Sequence, residues 1–93
     1  MIRSWKGRTI ELLAAGRSVK GFPVELIRPA QRKLRYLADA ARLSDLAVPP
    51  GNRLEALKGD RSGQYSIRVN DQWPICFRWT DEGAEDIEIV DYH

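Results

Sequence analysis

The sequence predicts one α+β domain in which N-terminal helices pack on one face of a small antiparallel β-sheet. Three observations carry this reading. Apolar side chains recur at helical spacing up to Ala41, and from Tyr65 onward they alternate with polar ones at period two. The helical stretches precede the strands instead of interleaving with them, which favours segregated layers over parallel βαβ units. At 93 residues the chain has area for a single core, so residues 1–93 form one domain.

Taken in order, "MIRSW" is a short candidate strand. "GRTIELLAAG" places Ile10, Leu13 and Ala14 on one side of a first helix, with Gly16 where a C′ glycine ends it. In "GFPVELIRPAQRKLRYLADAA", Ile27, Ala30, Leu34, Leu37, Ala38 and Ala41 form one stripe. Pro23 suits a first helical position, and Pro29 either kinks the helix or begins its main body; we expect a main helix from about Pro29 to Ala41. Arg32, Lys33 and Arg35 read most often as its solvated surface and less often as one that faces RNA. "SDLAVPPGN" is a turn or short helix running into a loop, and "RLEAL" leads into the turn-rich "KGDRSG". Three strands follow: "QYSIRVN", "WPICFRWT" after a turn at Asn70 to Gln72, and "EDIEIVDY" after a turn at Asp81 to Gly83.

Composition narrows the function classes. Hydrophobic residues at 43% and charged residues at 30% are ordinary for a globular domain, and no linker, repeat or low-complexity run interrupts the chain. Cys76 is the single cysteine, so it has no disulfide partner in the chain, and one His with one Cys falls short of a tetrahedral zinc set. No metal or cofactor is expected. No segment resembles a signal peptide or the roughly 20 apolar residues of a membrane span, so we expect a cytoplasmic protein with no membrane partner.

Charge is unevenly distributed. All 15 Lys and Arg lie at or before Arg78, and up to Thr80 they face 7 acidic residues, a balance of +8. Such a body suits an anionic partner, nucleic acid first, although interspersed surface charge has the same composition.

The strand pattern sorts the candidate site residues. Tyr65, Ile67, Val69, Trp73, Ile75, Phe77 and Trp79 share the inward face, which leaves Arg68, Pro74, Cys76 and Arg78 outward. Arg53, Lys58 and Arg61 border the same surface if "RLEAL" lies along the sheet. These five cations are candidate phosphate ligands, able to stabilise charge developing on a phosphorane. The chain ends in Asp91, Tyr92 and His93, types suited to orienting, stacking and proton transfer; equally, terminal residues commonly fray. Pro74 is the anomaly. It opens the most strand-like run in the chain and brings neither a ladder N–H nor a polar side chain.

"GNRLEALKGDRSGQYSIRVNDQWPICFRW" with the terminal "VDYH" resembles the HigB toxins of the RelE superfamily, GraT-like members included. The resemblance extends from "MIRSW" to "DYH". It implies a RelE-like fold and a type II toxin–antitoxin module, in which the toxin cuts mRNA in the 30S A site of the ribosome. It implies a HigA-like helix-turn-helix antitoxin as partner, and operator DNA reached through that antitoxin. The implied chemistry is metal-free: the RNA 2′-OH attacks the adjacent phosphate. Matched by position, His93, Tyr92, Asp91 and Lys58 fall on catalytic or RNA-contacting positions, and Glu55 stands where some members carry histidine. The family motif reads W-R-I where this chain reads W-P-I, so Pro74 takes the place of an arginine facing the scissile phosphate. Losing such a donor typically lowers the rate about 100- to 1,000-fold, and we expect Pro74 to be an inactivating substitution, introduced or selected.

Two other functions fit parts of the sequence. A toxin without activity can still act as co-repressor with its antitoxin on operator DNA, and a ParE-like relative would poison gyrase. The "DYH" terminus and the "LKGDR" turn favour the nuclease, since a gyrase poison needs no terminal proton-transfer residue.

Overall fold

The computed structural model describes residues 1–49 and 51–91. Two helices, α1 (Arg8–Ala14) and α2 (Ile27–Asp39), pack against a four-stranded sheet of β1 (Glu55–Ala56), β2 (Tyr65–Arg68), β3 (Pro74–Thr80) and β4 (Gly83–Ile89). The strands lie in chain order and every neighbouring pair is antiparallel. This is the α+β meander the sequence predicts, with β1 supplied by "RLEAL".

α1 ends as expected. Gly16 adopts φ 77°, its N–H reaches the Leu13 carbonyl at 2.9 Å, and the Arg17 N–H reaches that of Leu12 at 2.9 Å. Together they form a Schellman cap, which satisfies carbonyls the helix leaves open. α2 departs from expectation at both ends. It begins at Ile27, directly after a 3-10 turn at Val24–Leu26, so Pro29 sits inside the first turn. No intrahelical bond is lost there, because first-turn amides have no carbonyl partner. It ends at Asp39 with the Ala40 backbone extended, and both Ala38, within the helix, and Ala41, beyond it, are exposed.

"MIRSW" runs parallel beside β4. Arg3 and Lys6 N–H donate to the Ala84 and Ile87 carbonyls at 2.7 Å, and Ala84 and Ile87 N–H return to Met1 and Ser4 at 2.9 and 3.1 Å. Gly83 permits this approach, since a Cβ there would lie 2.0 Å from the Met1 carbonyl oxygen.

The inward residues of β2 and β3 build the core. Ile67, Ile75 and Phe77 are fully buried against Ile10, Leu34, Leu37 and Leu46, with Ala84 and Ile87 from β4. A second cluster joins Leu13, Phe22, Ala30 and Trp73, where the Phe22 and Trp73 rings meet edge-on at 4.9 Å between centroids. Ala84 and Ile87 face the same way despite their odd spacing because an extra residue, Asp86 at φ 51°, bulges out of β4 opposite β3. The Ser4 hydroxyl accepts the Asp86 N–H at 2.8 Å and so holds the bulge.

One surface assignment is corrected. Lys33 does not belong to the solvated face of α2: it is 7% exposed, and its Nζ donates to Asn52 Oδ1 at 2.6 Å. It lies three residues after Ala30 and four before Leu37, on the apolar stripe itself, and burial followed by repulsion from Arg32 lowers its pKa.

Candidate active site

On the sheet face away from the helices, β1, β2 and β3 enclose a cleft of about 250 Å³ lined by Glu55, Leu57, Arg61, Ser66, Arg68, Asp71, Pro74, Cys76 and Val90. Its floor follows from strand alternation. Ser66 and Cys76 are cross-strand partners that both point outward, and Arg68 stands opposite Pro74 in the same register. Glu55 comes alongside because β1 pairs it with Ser66. Cys76, expected as part of an open polar face, is only 3% exposed, since Arg61 and its turn close over this end of the sheet.

Pro74 is accommodated by its place at the first residue of β3. The Val90 N–H donates to the Pro74 carbonyl at 3.1 Å, and the proline returns nothing, so one ladder bond is absent at the end of the β4 pairing. The preceding turn is held by the Asn70 side chain, whose Oδ1 accepts the Gln72 and Trp73 amides at 3.0 and 2.9 Å.

Both cations of the cleft are held by carboxylates. Arg61 donates to Glu88 at 3.2 Å and to Gln64 at 3.2 Å, and the Glu88 bond raises its pKa further. Arg68 donates to Asp71 at 3.3 Å and stands 4.0 Å from Glu55. Burial pushes the Cys76 thiol up, the Arg61 guanidinium pulls it down, and Glu88 raises it again. The thiol therefore stays neutral near physiological pH, as a small floor residue between charged walls.

Other sequence-predicted residues stand elsewhere. Arg78 projects from β3 beyond the bulge, 3.7 Å from Asp86, and does not line the cleft. Arg53, at φ 49°, and Lys58 are exposed on turns flanking β1. Asp91 follows Val90 at the cleft rim, where it accepts from Gln72 Nε2 at 2.9 Å. Tyr92 and His93 lie outside the described residues. Sequence reasoning missed Glu88, Ser66 and Val90. The β3–β4 register that puts Glu88 opposite Cys76 is the signal that finds the first of them.

Among the described residues, no three His, Cys, Asp or Glu side chains converge to hold a metal, and no helix is long and apolar enough to cross a membrane.

A family model for the RelE-like toxin of the type II toxin–antitoxin system HigB matches residues 12–93. The chain belongs to the HigB-like toxins. Among relatives, Endoribonuclease HigB of Proteus vulgaris is 31% identical over 97 aligned positions that cover the whole of both chains. Toxin HigB-1 of Vibrio cholerae serotype O1 is 52% identical over 50 residues, 54% of this chain and 53% of that relative. An uncharacterized protein of Haemophilus influenzae is 32% identical across 70% of this chain. As a HigB-like toxin the chain implies an antitoxin partner, and the cleft gathers the Glu55, Arg61, Arg68 and Pro74 that the sequence picked out separately.

Proposed function

We propose that the chain is the toxin of a type II module and a ribosome-dependent endoribonuclease that cuts mRNA in the A site, with Pro74 holding its activity down. The observation that carries this is the cleft, in which the guanidiniums of Arg61 and Arg68 and the carboxylates of Glu55 and Asp71 surround an uncharged residue at position 74. Phosphate oxygens would accept the N–H hydrogen bonds that Arg61 and Arg68 now donate to carboxylates, since both anions compete for the same planar donors.

The step balances without a cofactor. A base removes the proton of the ribose 2′-OH, O2′ bonds to phosphorus, and the P–O5′ bond breaks as the leaving oxygen takes a proton. The products are a 2′,3′-cyclic phosphate and a 5′-OH. In this reading Glu55 serves as base, His93 gives the leaving-group proton, and Tyr92, Asp91 and Lys58 bind or orient RNA. A cation at position 74 would stabilise the phosphorane; proline supplies none. The programmed ribosome contributes substrate positioning, which a cleft of about 250 Å³ has little surface to provide. The neutralising partner is a HigA-like antitoxin that also links the toxin to operator DNA, and the setting is the cytoplasm.

Primer extension on mRNA with and without programmed ribosomes tests the reading. The Pro74→Arg variant should cut only ribosome-bound message, within the A-site codon, and leave cyclic-phosphate ends. Equal cutting of free RNA would overturn ribosome dependence, and no cutting in either form would overturn the nuclease.

A further inference from the structure

Lys33 lies on the helix layer, yet the contacts it makes lead through the sheet edge to the cleft. Its Nζ donates to Asn52 Oδ1 at 2.6 Å. Asn52 is fully buried, and its own Nδ2 donates to the Leu46 carbonyl at 3.0 Å, which ties it to the main core. The Asn52 carbonyl accepts the Arg68 N–H at 2.8 Å. Arg53 then turns the chain at φ 49°, and two residues later Glu55 enters β1.

β1 is only two residues long, pairing Glu55 with Ser66 and Ala56 with Tyr65. So short an edge strand has too few ladder bonds to fix its own position, and a side-chain anchor just before it decides where it lies. The buried amide of Asn52 has one acceptor and two donors to satisfy, and Lys33 supplies the proton for the acceptor. We propose that Lys33 and Asn52 are positioning residues for the cleft, a buried clamp through which α2 holds Arg68 and Glu55 within reach of one phosphate. In its catalytic consequence this rests on the nuclease reading; in its geometry it does not.

The test is Lys33→Met, an apolar replacement of similar length, made in the Pro74→Arg background, with Lys33→Gln as the second variant should the first not fold. Ile10→Ala, on α1 and remote from the cleft, is the control for general loss of stability, assayed where all variants are fully folded. With the clamp released, kcat for ribosome-bound mRNA should fall roughly 10- to 100-fold, the cost of displacing catalytic groups by about an ångström. KM should hold, and the control should keep its kcat. Amide hydrogen exchange supplies a readout besides activity: Arg68 should lose protection in Lys33→Met while Ile75 keeps it. The clamp is overturned if Arg68 stays as protected as Ile75, or if Ile10→Ala lowers kcat as far as Lys33→Met. If the Pro74→Arg parent does not cut at all, the nuclease reading fails, and the exchange of Arg68 alone decides for or against the clamp.

Discussion

Arg68 and Arg78 point to the same side of adjacent strands, but they belong to different ends of the sheet. At the β1–β2 end, Arg68 shares the cleft with Glu55, Arg61, Pro74 and a nearly buried Cys76. At the β3–β4 hairpin end, Arg78 stands 44% exposed beside a half-exposed Asp86, outside the lining of that cleft. What separates them is backbone, not side-chain type. The short edge strand and Arg61, from the 3-10 turn at Gly59–Arg61, border the cleft, whereas Arg78 lies beyond the Asp86 bulge with its guanidinium against Gly63. An outward-facing arginine becomes a candidate ligand only where the chain builds walls around it.

Substitutions can break that contrast, and the largest effect is expected from the terminal histidine. In the Pro74→Arg background, His93→Gln should lower cleavage about 100- to 10,000-fold, the usual weight of a general acid or base, while antitoxin binding and the melting temperature hold. Full activity would remove His93 from the mechanism. Arg68→Ala in the same background should cost about 100- to 1,000-fold in kcat, and Arg78→Ala should leave the rate close to its parent. Equal losses for both would mean that RNA covers the whole outer face.

Ser4→Ala sharpens the hairpin side. It removes the hydroxyl that accepts the Asp86 amide and should cost about 1 kcal/mol of stability in denaturant titration, with cleavage unaffected. The smallest change concerns pH. Because burial raises the Cys76 thiol pKa, its alkylation rate should keep climbing with pH past the point where a free thiol levels off. A plateau at the ordinary thiol value would place Cys76 in open solvent.

The residues explain how far sequence reasoning reached. Period-two alternation through Ile67, Ile75 and Phe77 located the inner face, and with it the outward placement of Arg68 and Pro74, because a strand leaves each side chain only two choices. The helix cap at Gly16 was legible for a similar reason, since few residues accept a positive φ. The bulge was not, as an aspartate at φ 51° carries no local signature and depends on Ser4, 82 positions away. Lys33 illustrates the opposite case. Its spacing placed it on the apolar stripe, but its charge suggested water, and only the buried Asn52 shows which consideration wins. Of the terminal motif, Asp91 is found at the cleft rim, whereas Tyr92 and His93 lie outside the described residues, so their roles rest on family resemblance and on the experiment above.

The central claim is that this cleft cuts RNA and that the missing charge at position 74 limits it. The direct measurement is mRNA cleavage on programmed ribosomes by this chain and its Pro74→Arg variant at equal concentration. A-site cleavage by the variant should run about 100 to 1,000 times faster than by the parent. Equal rates, or no cleavage by either protein while both fold and bind antitoxin, would contradict it.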